Sequence, residues 1–237
     1  MADANSVRGW KRMRRVLIYF SLLAFLFTTH STAQTVAADQ SPASDPQALL
    51  LASQAMLALN HGLPVSDVTL TGTAKHTAGS STDTGPAALE ALGTSYSRID
   101  LTLNAPVRSE IRNVSSKMGA LVDGSGIAHR PALHNCMIDA AWFFPALTSL
   151  SAGPNVVLAY IGQETRNGSS VWHLRSYIYA QTPYDLTTMQ HLSAMDFYLE
   201  VNSWLPVAIA FSLHPDDNQN VDIPVEIRFS NYQLVNG

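Results

Sequence analysis

The residues best suited to chemistry stand close together in mid-chain: His129, His134, Cys136 and Asp139. Such residues serve as metal ligands and, as Cys-His pairs, in nucleophilic catalysis. Their spacing fits neither use, because His-x4-His-x-Cys is no zinc pattern and no second paired set occurs elsewhere in the chain. The competing account is structural: Cys136 is a small buried residue at a helix start, and Asn135 and Asp139 serve that helix end. A hydrolase or metal enzyme using His134, Cys136 and Asp139 is therefore the least favoured reading. Asp123-Gly124-Ser125-Gly126 only half resembles the Gly-x-Ser-x-Gly turn of a serine nucleophile, and an ordinary turn is the simpler account. Gly-rich phosphate loops are absent, which excludes ordinary nucleotide enzymes. No catalytic residue, metal or cofactor is assigned.

The apolar side chains offer a different chemistry. Trp142-Phe143-Phe144, with Met137, Ile138 and Ala141 upstream, place bulky groups on more than one face of an expected helix. Trp172, Leu174 and Ile178, like Met195, Phe197 and Leu199, alternate along expected strands and mark inward faces. If the sheet fails to close, Trp142, Phe143, Phe144, Trp172, Leu174, Ile178, Phe197 and Leu199 line an apolar cavity whose contact area provides the affinity. Plain core packing is the alternative for the same residues.

The elements that must position them can be read along the chain. Asp45-Pro46 supplies an N-cap and a proline at the first helical position. Leu49, Ala52, Met56 and Leu59 then repeat at helical spacing to about residue 60, where His61-Gly62 and Pro64 stop the helix. A strand begins at Val65 and is followed by a Ser/Thr/Gly-rich loop at 78–86. Further strand-like runs cover 95–103, 107–114 and 120–122, and the second helix is expected at 135–150, with Pro145 as a possible kink. Beyond it lie strand-like runs at 156–165, 170–180, 194–202, 207–213 and 225–229, with turn signals at Asn167-Gly168 and Asp216-Asp217-Asn218. Spacers this short imply antiparallel neighbours. The order predicts an α+β fold: one strongly curved antiparallel sheet, an incomplete β-barrel, covered by helices.

Export is written at the N-terminus. Basic residues at 8–15 precede the apolar run 16–27, and Ser31-Thr32-Ala33 follows, the order of a secretory signal cleaved after Ala33. The expected organisation is a signal peptide at 1–33, a flexible linker at 34–44 and one domain at 45–237, in the periplasm or secreted. Membrane contact would come only through an uncleaved signal. Five of the 14 basic and one of the 18 acidic residues precede Gln34, leaving nine against seventeen, a formal charge of −8. Such a domain lacks the basic footprint that nucleic acid binding requires. The single cysteine forms no intrachain disulfide.

The segments Val68-Thr69-Leu70-Thr71-Gly72, Phe197-Tyr198-Leu199-Glu200 leading into Leu205-Pro206-Val207, and Pro224 to Tyr232 with Val235-Asn236-Gly237 together carry a resemblance. In this order, between a leading and a mid-chain helix, they resemble the LolA/LolB-like fold of periplasmic lipoprotein carriers, and also secreted proteins of soil bacteria. The resemblance implies an incomplete barrel around an apolar cavity, and a lipid or lipidated protein as partner. The family pattern would continue past Gly237, which predicts a truncated form with an unpaired C-terminal edge. A structural envelope module without ligand is the second reading.

Overall fold

The computed structural model describes residues 42–104, 107–113, 116, 118–136, 138–148, 150, 155–180 and 184–234. The expected signal at 1–33, the linker up to residue 41, Met137 and residues 235–237 lie outside them.

Helix α1 (Pro46–Asn60) forms as its capping signals require: the Asp45 carboxylate accepts from the amides of Gln47 at 2.7 Å and Ala48 at 3.3 Å. His61 ends it in the left-handed conformation, φ 54°. The buried face consists of Ala48, Leu51, Ala52 and Ala55, rotated from the leucine-rich stripe that spacing suggested. Small alanines let the helix approach the sheet closely. Leu50 and Leu57 consequently face water.

The expected single sheet is two. The first runs in simple meander order through β1 (Asp67–Ala78), β2 (Ser81–Leu92), β3 (Tyr96–Leu101), β4 (Arg108–Asn113), β5 (Met118–Val122) and β6 (Ala128–His129). The expected loop at 78–86 is mostly strand, because β1 and β2 pair over twelve residues about a two-residue turn at Gly79-Ser80, where Gly79 takes φ +59°. Gly85 is required further along β2, since a Cβ there would lie 1.7 Å from the Thr102 carbonyl oxygen.

No α-helix forms over 135–150 among the described residues. A 3-10 turn, Leu133–Cys136, leads into successive turns. The amides of Trp142, Phe144 and Leu147 donate to carbonyls three residues back, at 3.3, 3.0 and 3.1 Å. Pro145 explains this, having no N–H and driving Phe144 out of the α region. The apolar content still decides burial: Ile138, Ala141, Trp142, Phe143 and Leu147 all enter the core. Over 135–150, then, an irregular apolar segment stands where a covering helix was expected.

The second sheet comprises β7 (Val156–Arg166), β8 (Ser169–Ile178), β9 (Met195–Glu200), β10 (Pro206–Leu213) and β11 (Ile223–Arg228), all antiparallel. Asn167-Gly168 makes the expected two-residue hairpin, both residues at positive φ. An unexpected short helix, α2 (Leu186–Ser193), is capped by Asp185 and packs against β8. Side chains from the two edge strands of this sheet meet. A flat sheet would hold β7 and β11 about 19 Å apart, yet the Arg166 guanidinium lies 3.8 Å over the Tyr198 ring of β9 and pairs with Glu226 of β11.

The core lies between α1, the 138–150 segment and one face of each sheet. Ala91 and Ile99 represent the first sheet, and Leu158, Leu174, Met195, Phe197, Leu199, Ile209 and Phe211 the second.

Candidate functional site

The alternation along β8 and β9 sets Trp172 and Leu174, and Phe197 and Leu199, on the core face. Phe143, Leu174, Phe197 and Leu199 are completely buried. Trp142 is buried against Phe143, ring centres 5.6 Å apart and edge-on, and against Phe211 at 4.3 Å. Phe144 and Trp172 are half-buried at the margin of the same cluster, Trp172 stacked on Trp204 at 6.4 Å and 13°. Seven of the eight expected lining residues therefore share one apolar cluster. Ile178 is half-buried and stands outside it.

Coverage within the cluster is uneven. On the first sheet Val68, Leu70, Leu89 and Leu101 pack on the core yet keep part of their surface in water. Register shows why: Leu70 faces Leu89, but the next inward pairs are Gly72–Ala87 and Ala74–Gly85, too small to bury much. The described apolar interior thus opens where β1 and β2 leave it. A separate open depression of about 430 Å³ lies against β4 to β6, between Ile111, Met118, Ala128 and Arg130, and involves none of the eight residues.

Among the described residues one permanently charged side chain is buried. Arg112 is buried, its guanidinium 5.4 Å from the Trp142 ring centre and paired with Glu110, while its Nη1 has no hydrogen-bond partner. Sequence reasoning missed it. The available signal was alternation, which puts Glu110 and Arg112 on the same face as Ile99.

The mid-chain polar residues do not assemble. His129 pairs with Asp123 at 3.2 Å on the surface. His134 is buried with Nε2 3.1 Å from the Pro215 carbonyl oxygen. Cys136 is buried, and burial pushes its thiol up, away from the reactive thiolate. Burial likewise raises Asp139. Asp123 instead accepts from the Ser125 hydroxyl and from the amides of Ser125 and Ile127, and these bonds, with His129, hold it at about 2. That is an Asx turn, as expected, rather than a nucleophile elbow. Among the described residues the metal-type group is a different one: His191, His214 and Asp222, whose ligand atoms lie within 4.8 Å of one another.

No protein-family model matches the chain, and no curated protein matches it. Similar solved structures include a LolA superfamily protein of Nitrosomonas europaea, with 8% identity over 80% of each chain and a TM-score of 0.43. A putative outer membrane lipoprotein-sorting protein domain of Vibrio parahaemolyticus shares 11% over 79% of each, TM-score 0.46. The lipoprotein LppX of Mycobacterium tuberculosis shares 15% over 72% of this chain and 90% of that one, TM-score 0.33. Among the described residues no helix is long and apolar enough to cross a membrane.

Proposed function

We propose that the chain is an exported, non-catalytic binding protein that receives an apolar chain, the acyl group of a lipid or of a lipid-modified protein, at the open margin of its core. The observation that carries this reading is the partial exposure of Val68, Leu70, Leu89 and Leu101, apolar residues of β1, β2 and β3 that pack on the core cluster without being closed over. An acyl chain laid on these residues takes their remaining surface out of water, at about 0.8 kcal/mol for each methylene buried. Phe144 and Trp172, the two residues of the predicted lining that belong to the cluster and keep exposed surface, are its candidates for direct contact, and Trp142, Phe143, Leu174, Phe197 and Leu199 form the floor beneath. Ile178 would act only from outside that floor. The leader at 1–33 delivers the chain to the compartment where such ligands occur. Burial of Cys136, which raises its thiol above the ordinary value, speaks against its use as a nucleophile.

The test is mass spectrometry of organic extracts from protein produced in a bacterial periplasm, beside an unrelated exported control. A stoichiometric acyl lipid, lost in Leu70→Glu, supports the reading. Lipid-free protein that also fails to bind a fluorescent fatty acid removes it. A second reading, a module that pairs with a protein partner through a sheet edge, is favoured by β1, whose twelve residues pair on one side only among the described strands. That reading predicts partner capture without lipid.

A further inference from the structure

We propose that His191, His214 and Asp222 form a binding site for a divalent transition metal, zinc in the first place, clipping α2 to the connection between β10 and β11. His191 stands in the last turn of α2, His214 directly follows β10, and Asp222 directly precedes β11. Asp222 Oδ1 lies 3.4 Å from His191 Nε2 and 3.5 Å from His214 Nδ1. Ligands bound to one tetrahedral zinc at about 2.0–2.2 Å stand about 3.4 Å from each other, so the His191–Asp222 separation needs little adjustment, while the His214 ring must turn to bring its free nitrogen, Nε2, to the ion. The two imidazoles are 5.0 Å apart between ring centres.

His214 supplies the independent observation. Its side chain is 2% exposed, Nδ1 lies 3.2 Å from the Val221 carbonyl oxygen, and Nε2 is buried without a hydrogen-bond partner. A buried imidazole with one nitrogen at a backbone carbonyl and the other free is the arrangement in which histidine ligates metals. Its backbone is also fixed in advance: the His214 amide donates to Asn135 Oδ1 at 3.3 Å, and Asn135 Nδ2 donates to the His214 carbonyl at 2.8 Å. Asp216 holds the same loop by accepting from the Ala132 amide at 2.9 Å. His134, edge-on to His214 at 6.1 Å, lies behind the site rather than in it.

Two imidazoles and one carboxylate select borderline metals over calcium or magnesium, which favour oxygen alone. His191 and Asp222 are exposed, which gives the ion an entry and leaves room for water as the remaining ligand.

The test uses the full chain, untagged and stripped with chelator, titrated calorimetrically with zinc and optically with cobalt. One ion per chain is expected, with a tetrahedral cobalt spectrum and a Tm that rises with zinc. His191→Ala and Asp222→Asn, both at exposed positions where folding tolerates change, should each weaken binding about tenfold or more and abolish the zinc-dependent rise in Tm. Undiminished affinity in either variant, or no saturable binding at millimolar zinc, overturns the site.

Discussion

The two sheets bury the same kind of face to different degrees. On β9 the inward residues are Met195, Phe197 and Leu199, all buried, and even the outward Tyr198 is covered. On β1 the inward row runs Val68, Leu70, Gly72, Ala74 and His76, and nothing beyond Leu70 is large and apolar. Strand length and hydrogen-bonded register are no poorer in β1 than in β9, so backbone pairing alone does not decide how deeply a strand is buried. What differs is the side-chain area each strand can withdraw from water. The second sheet supplies most of the fully buried core, and β1 and β2 carry the partly exposed apolar residues on which the proposed function rests.

The sharpest way to break this comparison is truncation on both sides. Phe197→Ala, at a fully buried position, should cost about 3–5 kcal/mol in urea unfolding. Leu70→Ala should cost clearly less, since its methyl groups are already partly wet. Equal losses would mean that the margin is as tightly packed as the core, and the binding proposal would lose its basis.

The first sheet does contain one point where packing is unforgiving. Gly85→Ala drives a methyl group into the Thr102 carbonyl and should cost about 3 kcal/mol, while Gly72→Ala, whose added carbon meets nothing within 4 Å, should be neutral or slightly stabilising. Thermal unfolding of the pair separates a local backbone crossing from a general intolerance of β1 and β2 to added bulk.

The outward face of the second sheet holds the next effect. Burial raises Asp196, but hydrogen bonds from His173 at 2.9 Å and Arg175 at 2.8 Å outweigh it and leave the carboxyl below its ordinary value. A depressed carboxyl contributes stability above its unfolded pKa and loses it as pH falls through the folded one. Asp196→Asn should therefore cost roughly 1.5 kcal/mol at neutral pH, with the difference from wild type vanishing as acid protonates the native carboxyl below about pH 4. A difference that persists unchanged at pH 3 would assign the loss to packing instead.

Capping and turn chemistry made much of this legible in the sequence. Asp45-Pro46 placed α1, and Asn167-Gly168 placed the β7–β8 turn, because each is decided by a few adjacent atoms. The stretch 135–150 reads as a helix in the sequence because its apolar content reports burial, which the structure bears out, while Pro145 controls the backbone and turns form instead. The stripe on α1 was rotated because spacing favours large residues, whereas close approach to a sheet favours Ala48, Ala52 and Ala55. Sites joined across the chain were the least legible. His191, His214 and Asp222 share no motif, and only the folding of α2 beside the β10–β11 connection brings them together.

The smallest expected effect tests what the solvent-exposed arm of β1 and β2 is for. Replacing residues 76–83 with a two-residue Asn-Gly turn keeps the Lys75–Thr84 pair and deletes only side chains that bury little. Stability should stay within about 0.5 kcal/mol of wild type, apart from losing the Asn104–Asp83 contact at the surface. Lipid retention should also be unchanged, since Leu70 and Leu89 remain. If the shortened protein keeps both its stability and its lipid but no longer captures a protein partner, the arm is an edge for strand pairing, and the two functions read from the first sheet occupy its two ends. Loss of lipid instead would place the entrance farther along the hairpin than the exposed core residues indicate.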